Sequence, residues 1–315
     1  MFAAAMFLAL AIEGVIGWPN ALFSSIGHPI TWMGSLIDAC DRRFNRNGDR
    51  DIIRRLAGVL VTLGLCALVW GLSTLLVWLL PGGWLGALLT GVLAWPLVAA
   101  RSLHDHVRAV VLPLVRGDLD GARQAVSMIV GRDPASLDEA GVSRAALESL
   151  GESTSDGVVA PLFWGVIFGL PGIAVYKVIN TMDSMIGHLS PRHAAFGWAA
   201  ARLDDLVNLI PARLSGLLYV AVAGPHWRAA LHCMLRDAGK HRSPNAGWPE
   251  AALAGALGVR LSGPRVYDGE RTNEPWVNDG APDPSAMDLG RGLVLYLKSI
   301  TLLAGVLVVL GLIWS

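Results

Sequence analysis

The chain has 315 residues, 53% of them hydrophobic and only 16% charged, with a formal net charge of zero and a mean hydropathy of +0.50. Soluble domains carry about 25% charged residues, so these averages exclude an ordinary water-soluble enzyme, and the charge balance removes the electrostatic case for nucleic acid. Lys177, Lys240 and Lys298 are the three lysines among 25 basic residues, which leaves 22 arginines.

Residues 2–17 are apolar apart from Glu13. They lack a basic leading segment and a small-residue cleavage site, and so predict a retained first helix rather than a signal peptide. Arg42, Arg43, Arg46, Arg50, Arg54 and Arg55 follow, a strong cytoplasmic mark. Residues 56–100 contain no charge and predict two spans joined at Pro81-Gly82-Gly83, with Trp78 and Trp84 placed for the membrane interface. The chain is then back on the Arg-rich side for residues 101–155. Two ambiguous stretches come next. Residues 158–176 are broken by Gly169-Leu170-Pro171-Gly172, and residues 206–224 carry Asn208, Pro211 and Arg213 in their first half. Either both cross, which strands Asp183, Arg202, Asp204 and Asp205 outside, or both re-enter; re-entry or shallow insertion is favoured because it keeps every polar cluster on one face. Residues 292–314 predict the last span, with Lys298 close enough to its start to snorkel.

The expectation is an all-α integral membrane protein. It has about four full transmembrane helices plus re-entrant or interfacial helical segments and cytoplasmic loops. A single polytopic domain covers 1–315, with polar segments at 18–55, 101–155, 181–205 and 225–291. No period of 20–50 residues indicates a solenoid, and no matched pair of broken helices indicates an inverted-repeat transporter. Cys40, Cys66 and Cys233 lack metal-ligand spacing and read as free thiols.

The P-loop and the dinucleotide fingerprint are absent, as are the zinc-protease helix and the nucleophile elbow. What stands out is a series of polar clusters. Glu148, Glu152 and Asp156 recur at intervals of four, and would share a face if their helix continued. Asp156-Gly157 predicts a turn there instead. Carboxylates with hydroxyls nearby suit Mg²⁺, though the same residues suit a capped, solvated helix end. Helical spacing puts Lys177, Asn180 and Ser184 on one side, with Asp183 adjacent. A cation, an amide and a hydroxyl at a membrane boundary fit an anion; a snorkelling lysine is the plain alternative. Arg202, Asp205 and Asn208 pair at helical spacing, as do Asp204 and Asn208. Lys240, Arg242, Ser243 and Asn245 make a basic loop suited to phosphate or carboxylate. Arg132 precedes a helix that Ser136 and Glu139 would cap as a box.

Several of these strings recur in order: His28-Pro29, Gly131-Arg132-Asp133, Glu148-Ser149, Asp156-Gly157 with Ala160-Pro161-Leu162-Phe163, and Tyr176-Lys177. Asn180-Thr181 with Asp183-Ser184-Met185, Asp204-Asp205, Pro211-Ala212-Arg213-Leu214 and Ser243-Pro244-Asn245 continue the series. Together they resemble the adenosylcobinamide-phosphate synthase family of cobalamin biosynthesis, from about residue 13 to Tyr267. Where that family usually reads Ala-Glu-Asn-Thr, this chain reads Gly151-Glu152-Ser153-Thr154, which removes an amide donor at Ser153.

The resemblance implies a multi-pass enzyme of the bacterial cytoplasmic (inner) membrane, with its active site facing the cytoplasm. It would use ATP and Mg²⁺ to join a corrinoid carboxylate, that of adenosylcobyric acid, to aminopropanol phosphate ((R)-1-amino-2-propanol O-phosphate). Membrane lipid and other late enzymes of the pathway are the further partners implied. On that reading Glu152, Asp156 and Asp183 are the metal or base candidates. Arg132, Lys177, Lys240 and Arg242 hold phosphates, and Asn180, Ser184, Asp205, Asn208, Ser243 and Asn245 contact substrate. A transporter or an assembly factor for a phosphate-bearing or corrinoid ligand is the competing reading; segment-end placement of the polar groups favours the enzyme.

Overall fold

The structure is a computed structural model that describes residues 1–46, 48–130, 134–267 and 270–313, with the side chains of 265–267 and 270–272 set aside. Arg132 therefore lies outside the described residues. The chain divides into two compact units. One comprises Met1–Ala99, Ala160–Asn208 and Val306–Ser315, and the other Ala100–Val159 and Leu209–Gly305.

The first unit begins with α1 (Phe2–Ile16), which stops at Gly17, where φ is 63°. After α2 (Asn20–Ile26), α3 (Pro29–Phe44) is capped by His28, whose Nδ1 accepts the Ile30 N–H at 3.2 Å. Pro29 follows at the first helical position, where its missing N–H costs nothing. The uninterrupted α4 (Asp51–Leu79) has 29 residues, about 43 Å at 1.5 Å per residue, more than the roughly 30 Å hydrocarbon core. Its outward positions are apolar: Leu56, Leu60, Leu63, Leu72 and Leu79 are all more than half exposed. Such a surface is suited to lipid and poorly suited to water. α5 (Gly83–Ala94) is short and runs into a 3₁₀ turn at Trp95–Leu97. The second of the two spans expected within residues 56–100 is thus irregular, because Pro96 supplies no N–H to continue the ladder, although the stretch Gly83–Val115 remains long and apolar enough to cross.

In the second unit come α6 (Ala100–Val115), α7 (Leu119–Val126) and α8 (Glu139–Thr154). Asp138, and not Ser136, caps α8 by accepting the Gly141 N–H at 2.7 Å. The turn expected at Asp156-Gly157 does not form either. The helix continues through Ser155–Val159 as a π-helical turn, an irregularity that absorbs an extra residue without ending the ladder. Back in the first unit, α9 (Ala160–Ile186) contains Gly169 at φ 67°, ψ −148°, and α10 (Trp198–Val207) follows. The second unit resumes with α11 (Leu209–Val222), α12 (Trp227–Asp237) and α13 (Gly247–Leu257). Short strands β1 (Leu261–Ser262), β2 (Arg265–Tyr267), β3 (Glu270–Thr272) and β4 (Trp276–Val277) precede the long α14 (Ala286–Ile313). β1 pairs antiparallel with β4 and β2 with β3.

Among the described residues, four helical stretches are long and apolar enough to cross a membrane: Asp51–Leu79, Gly83–Val115, Glu139–Ile186 and Ala286–Ile313. The all-α membrane class expected from the sequence is the one observed. The third stretch is folded back on itself. A Cβ on Gly172 would overlap the Trp164 carbonyl oxygen, yet eight helical residues should separate these groups by about 12 Å. In addition, the Trp164 indole donates to the Val207 carbonyl at 3.0 Å, while the Tyr176 hydroxyl donates to Asn208 Oδ1 at 3.0 Å. Residues that would lie about 18 Å apart along a straight helix reach neighbouring positions of the chain. The backbone reverses at Gly169, and residues 158–176 do not cross as one straight helix.

Small residues let the helices of the first unit approach closely, as membrane interfaces favour. Met6 of α1 fills the space over Gly165, and Gly91 of α5 faces the Ala5 carbonyl. Gly58 of α4 meets the Phe196 carbonyl, where any side chain would collide. A buried polar clasp holds the segment between α9 and α10. Arg192 donates to Asp41 at 3.0 and 2.5 Å, Asn45 to Asp41 at 2.7 Å, and Arg54 to Asn45 at 2.8 Å and to the Arg192 carbonyl.

The second unit is organised around α13, which is buried along its whole length except at Trp248, as a helix surrounded by others must be. Asp237, fully buried, receives Arg236 at 2.8 and 2.6 Å, Lys240 at 2.8 Å and the Asn278 N–H at 2.7 Å. Burial opposes its ionisation, but these donors outweigh it and hold the carboxyl below the usual range. Burial, with Asp237 beside it, pushes the Cys233 thiol up to about 12, and all three cysteines are free. The guanidinium groups of Arg144 and Arg260 lie against the Trp276 ring, 4.8 and 4.2 Å from its centroid.

Candidate functional site

The expected site residues fall into two sets, one in each unit. In the first unit, the second arm of α9 carries Tyr176, Lys177, Asn180, Asp183 and Ser184 against α10. Asp204, 8% exposed, is the hub. It accepts from Asn208 Nδ2 at 3.0 Å and from Asn180 Nδ2 at 3.5 Å. Asn208 in turn accepts the buried Tyr176 hydroxyl. The Asp183 and Asp205 carboxylates lie within electrostatic reach of Asp204. Lys177 is buried at 6% exposure, within electrostatic reach of His28, and its carbonyl accepts the Thr181 hydroxyl at 2.7 Å. Packing therefore brings Asn180, Asp183, Asp205 and Asn208 together around Asp204, while Lys177 lies one helical turn before Asn180 on α9. Ser184 is exposed, with its hydroxyl donating to the Asn180 carbonyl at 2.9 Å.

Asp204 and Tyr176 belong to this cluster although the expected site set held Asp205 and not Asp204. The Asp204–Asn208 spacing was visible in the sequence, but which of two adjacent acids faces α9 depends on the packing. Burying Asp204 with two half-buried carboxylates within electrostatic reach is costly for stability. Groups of this kind mark functional sites more often than scaffolding.

In the second unit, Glu152 is exposed and Asp156 half-buried on the π turn. Glu148, grouped with them by spacing, accepts the Ser262 N–H at 2.8 Å and anchors β1. The Thr154 hydroxyl meets the Tyr219 hydroxyl at 2.7 Å in the interior. Ser243 serves the local turn, accepting from Asn245 N at 3.2 Å and Ala246 N at 3.3 Å. Asn245 is buried and Arg242 exposed. Lys240 forms the ion pair with Asp237 described above. His241 and the buried Glu250, neither singled out by spacing, approach at 3.7 Å. Gly151 packs on Glu250, so that a Cβ there would lie 3.2 Å from the Glu250 Cα. Among the described residues, no group of three or more His, Cys, Asp or Glu side chains is arranged to hold a metal ion.

This architecture defines a class: a polytopic helical protein that buries a lysine, amides and several carboxylates between apolar helices. The family profile described as CobD/Cbib protein matches residues 6–296, and the chain belongs to that family. It is 58% identical to a cobalamin biosynthesis protein CobD of Rhodobacter capsulatus, over all of this chain and 99% of that one. Similar proteins of the same name occur in a Sinorhizobium species, at 48% identity over 97% of each chain, and in Brucella suis, at 46% over 97% of this chain and 96% of that one. No solved structure matches the chain significantly.

Proposed function

We propose that this chain is a biosynthetic enzyme of the cobalamin pathway and that it forms an amide. It joins the free propionate of adenosylcobyric acid to (R)-1-amino-2-propanol O-phosphate with consumption of ATP, in the bacterial cytoplasmic membrane with its site facing the cytoplasm. The observation that carries this reading is the Asn180–Asp204–Asn208 cluster around the buried Asp204, with Asp183 and Asp205 within electrostatic reach and the buried Lys177 on the same arm of α9, in a chain similar end to end to proteins named for cobalamin biosynthesis.

A carboxylate is a poor electrophile. On this reading a corrinoid carboxylate oxygen attacks the γ-phosphorus of ATP and ADP leaves. The amine nitrogen then attacks the acyl carbon, phosphate departs with the C–O bond electrons, and the nitrogen gives up a proton. Lys177 offsets charge on the transferring phosphoryl group, and one of the neighbouring carboxylates accepts the proton. Mg²⁺ enters with the nucleotide and supplies Lewis acidity to the phosphates. It commonly needs only one or two protein carboxylates besides phosphate oxygens, which suits Asp183 with Asp205 and does not require a three-acid cluster. In the second unit, the family resemblance by itself gives Glu152 and Asp156 as metal or base candidates and Arg242 and Asn245 as contacts for anionic groups.

The test is acyl-phosphate trapping. Purified protein in lipid, with Mg·ATP and adenosylcobyric acid, should yield a corrinoid hydroxamate when hydroxylamine replaces the amine. Lys177→Met should reduce that yield at least tenfold. Amide formation without ATP would end the ligase reading.

A further inference from the structure

Outside the acid cluster, the first unit holds three aromatic rings, with Trp18 in contact with the other two. Trp18 meets His28 edge-on with ring centroids 4.8 Å apart, and Trp95 at 5.4 Å and a 51° tilt. All three are half-buried. The corner is held in place by backbone: the Trp95 indole donates to the Gly17 carbonyl at 3.1 Å, and His28 uses Nδ1 on the Ile30 N–H. Trp18 is different. Its Nε1 is buried and has no acceptor among the described residues. A buried N–H without an acceptor is costly, and a tryptophan that only filled space could be replaced by phenylalanine at no polar cost. Lys177 lies within electrostatic reach of His28, which ties this corner to the second arm of α9.

We propose that Trp18, Trp95 and His28 form the seat of the corrin macrocycle, with the Trp18 N–H donating to an amide or carboxylate oxygen on the ring's rim. The inference rests on the ligase reading and specifies which part of the unit takes the corrinoid. The three rings cross at 72° and 51° and so line a corner, which suits the edge of a bulky corrin, whose faces carry axial ligands and whose rim is crowded with carbonyl oxygens. A triphosphate would call for several cationic donors, and Lys177 is the cation identified near these rings.

The experiment uses the full chain in detergent micelles, with dicyanocobyric acid followed by its visible absorbance in equilibrium dialysis and a non-hydrolysable ATP analogue measured in parallel. Trp18→Phe keeps a ring and removes the donor. It should weaken corrinoid binding about fivefold, the usual net worth of one hydrogen bond, and leave the nucleotide unaffected. Unchanged corrinoid affinity, or loss of nucleotide affinity instead, would overturn the seat. If the variant does not fold, the wild-type chain still decides the matter. Dicyanocobyric acid should protect Trp18 from N-bromosuccinimide while the nucleotide does not, and equal oxidation with and without corrinoid refutes the seat. A wild-type chain that binds no corrinoid removes the ligase reading as well, whereas corrinoid binding indifferent to Trp18 removes only the seat.

Discussion

Asp204 combines deep burial, two amide donors and two further carboxylates within electrostatic reach. Such an arrangement works against folding, because each added negative charge in a low-dielectric site raises the cost of the others. Asp204→Asn keeps the shape and removes one charge, so the thermal midpoint in detergent should stay constant or rise. Turnover should fall at least tenfold, the trade expected where a site is strained for function. Full turnover in this variant would make Asp204 scaffolding. Lys240 illustrates the converse. In the sequence it is a cation in a basic loop, as fit for a phosphate as for a neighbour. The fold gives it Asp237, three residues earlier, at 2.8 Å. Residue type and spacing allowed both uses, and only the burial of Asp237 separates them.

The reversal within α9 depends on one residue. At φ 67°, ψ −148° Gly169 occupies a region essentially closed to residues with a Cβ, at a cost of about 1–3 kcal/mol for any other. A Cβ there would also come within 3.0 Å of the Phe2 ring. Gly169→Ala should lower the thermal midpoint, and adding Phe2→Ala should restore only part of the loss, since the backbone strain remains. Complete restoration would mean that contact and not conformation sets the requirement. This break was legible in the sequence, because Gly-Leu-Pro-Gly inside an apolar run is a strong interruption. The π turn at Ser155–Val159 was not. An Asp-Gly pair ordinarily ends a helix, and its continuation here depends on contacts with α8 and α11 that no local pattern encodes. The cap of α8 was misplaced by two residues for a similar reason: Ser136 and Asp138 can both accept an N–H, and the helix start decides between them.

Orientation follows from combining the clasp with charge. Arg192 and the carbonyls near it are tied to Asp41, Asn45 and Arg54, so the segment between α9 and α10 shares a face with the Arg-rich α3–α4 junction. On the proposed orientation, arginine excess puts that junction on the cytoplasmic side. A cysteine introduced by Ser190→Cys should therefore resist an impermeant maleimide added outside intact cells and react once the membrane is opened. Labelling from outside would reverse the orientation.

The two partners of α1 have a consequence for the order of assembly. Its Ala5 face meets Gly91 of α5, but Met6 and Phe2 also close over Gly165 and Gly169, about 160 residues further along the chain. At the roughly 5–20 residues per second of protein synthesis, the N-terminal helix waits some 8–32 s in the bilayer for that hairpin. The α1–α5 pair is available much sooner. It provides a preassembled wall onto which the hairpin docks, so that the arm bearing Lys177 and Asp183 reaches its final surroundings only after the first five helices have been made.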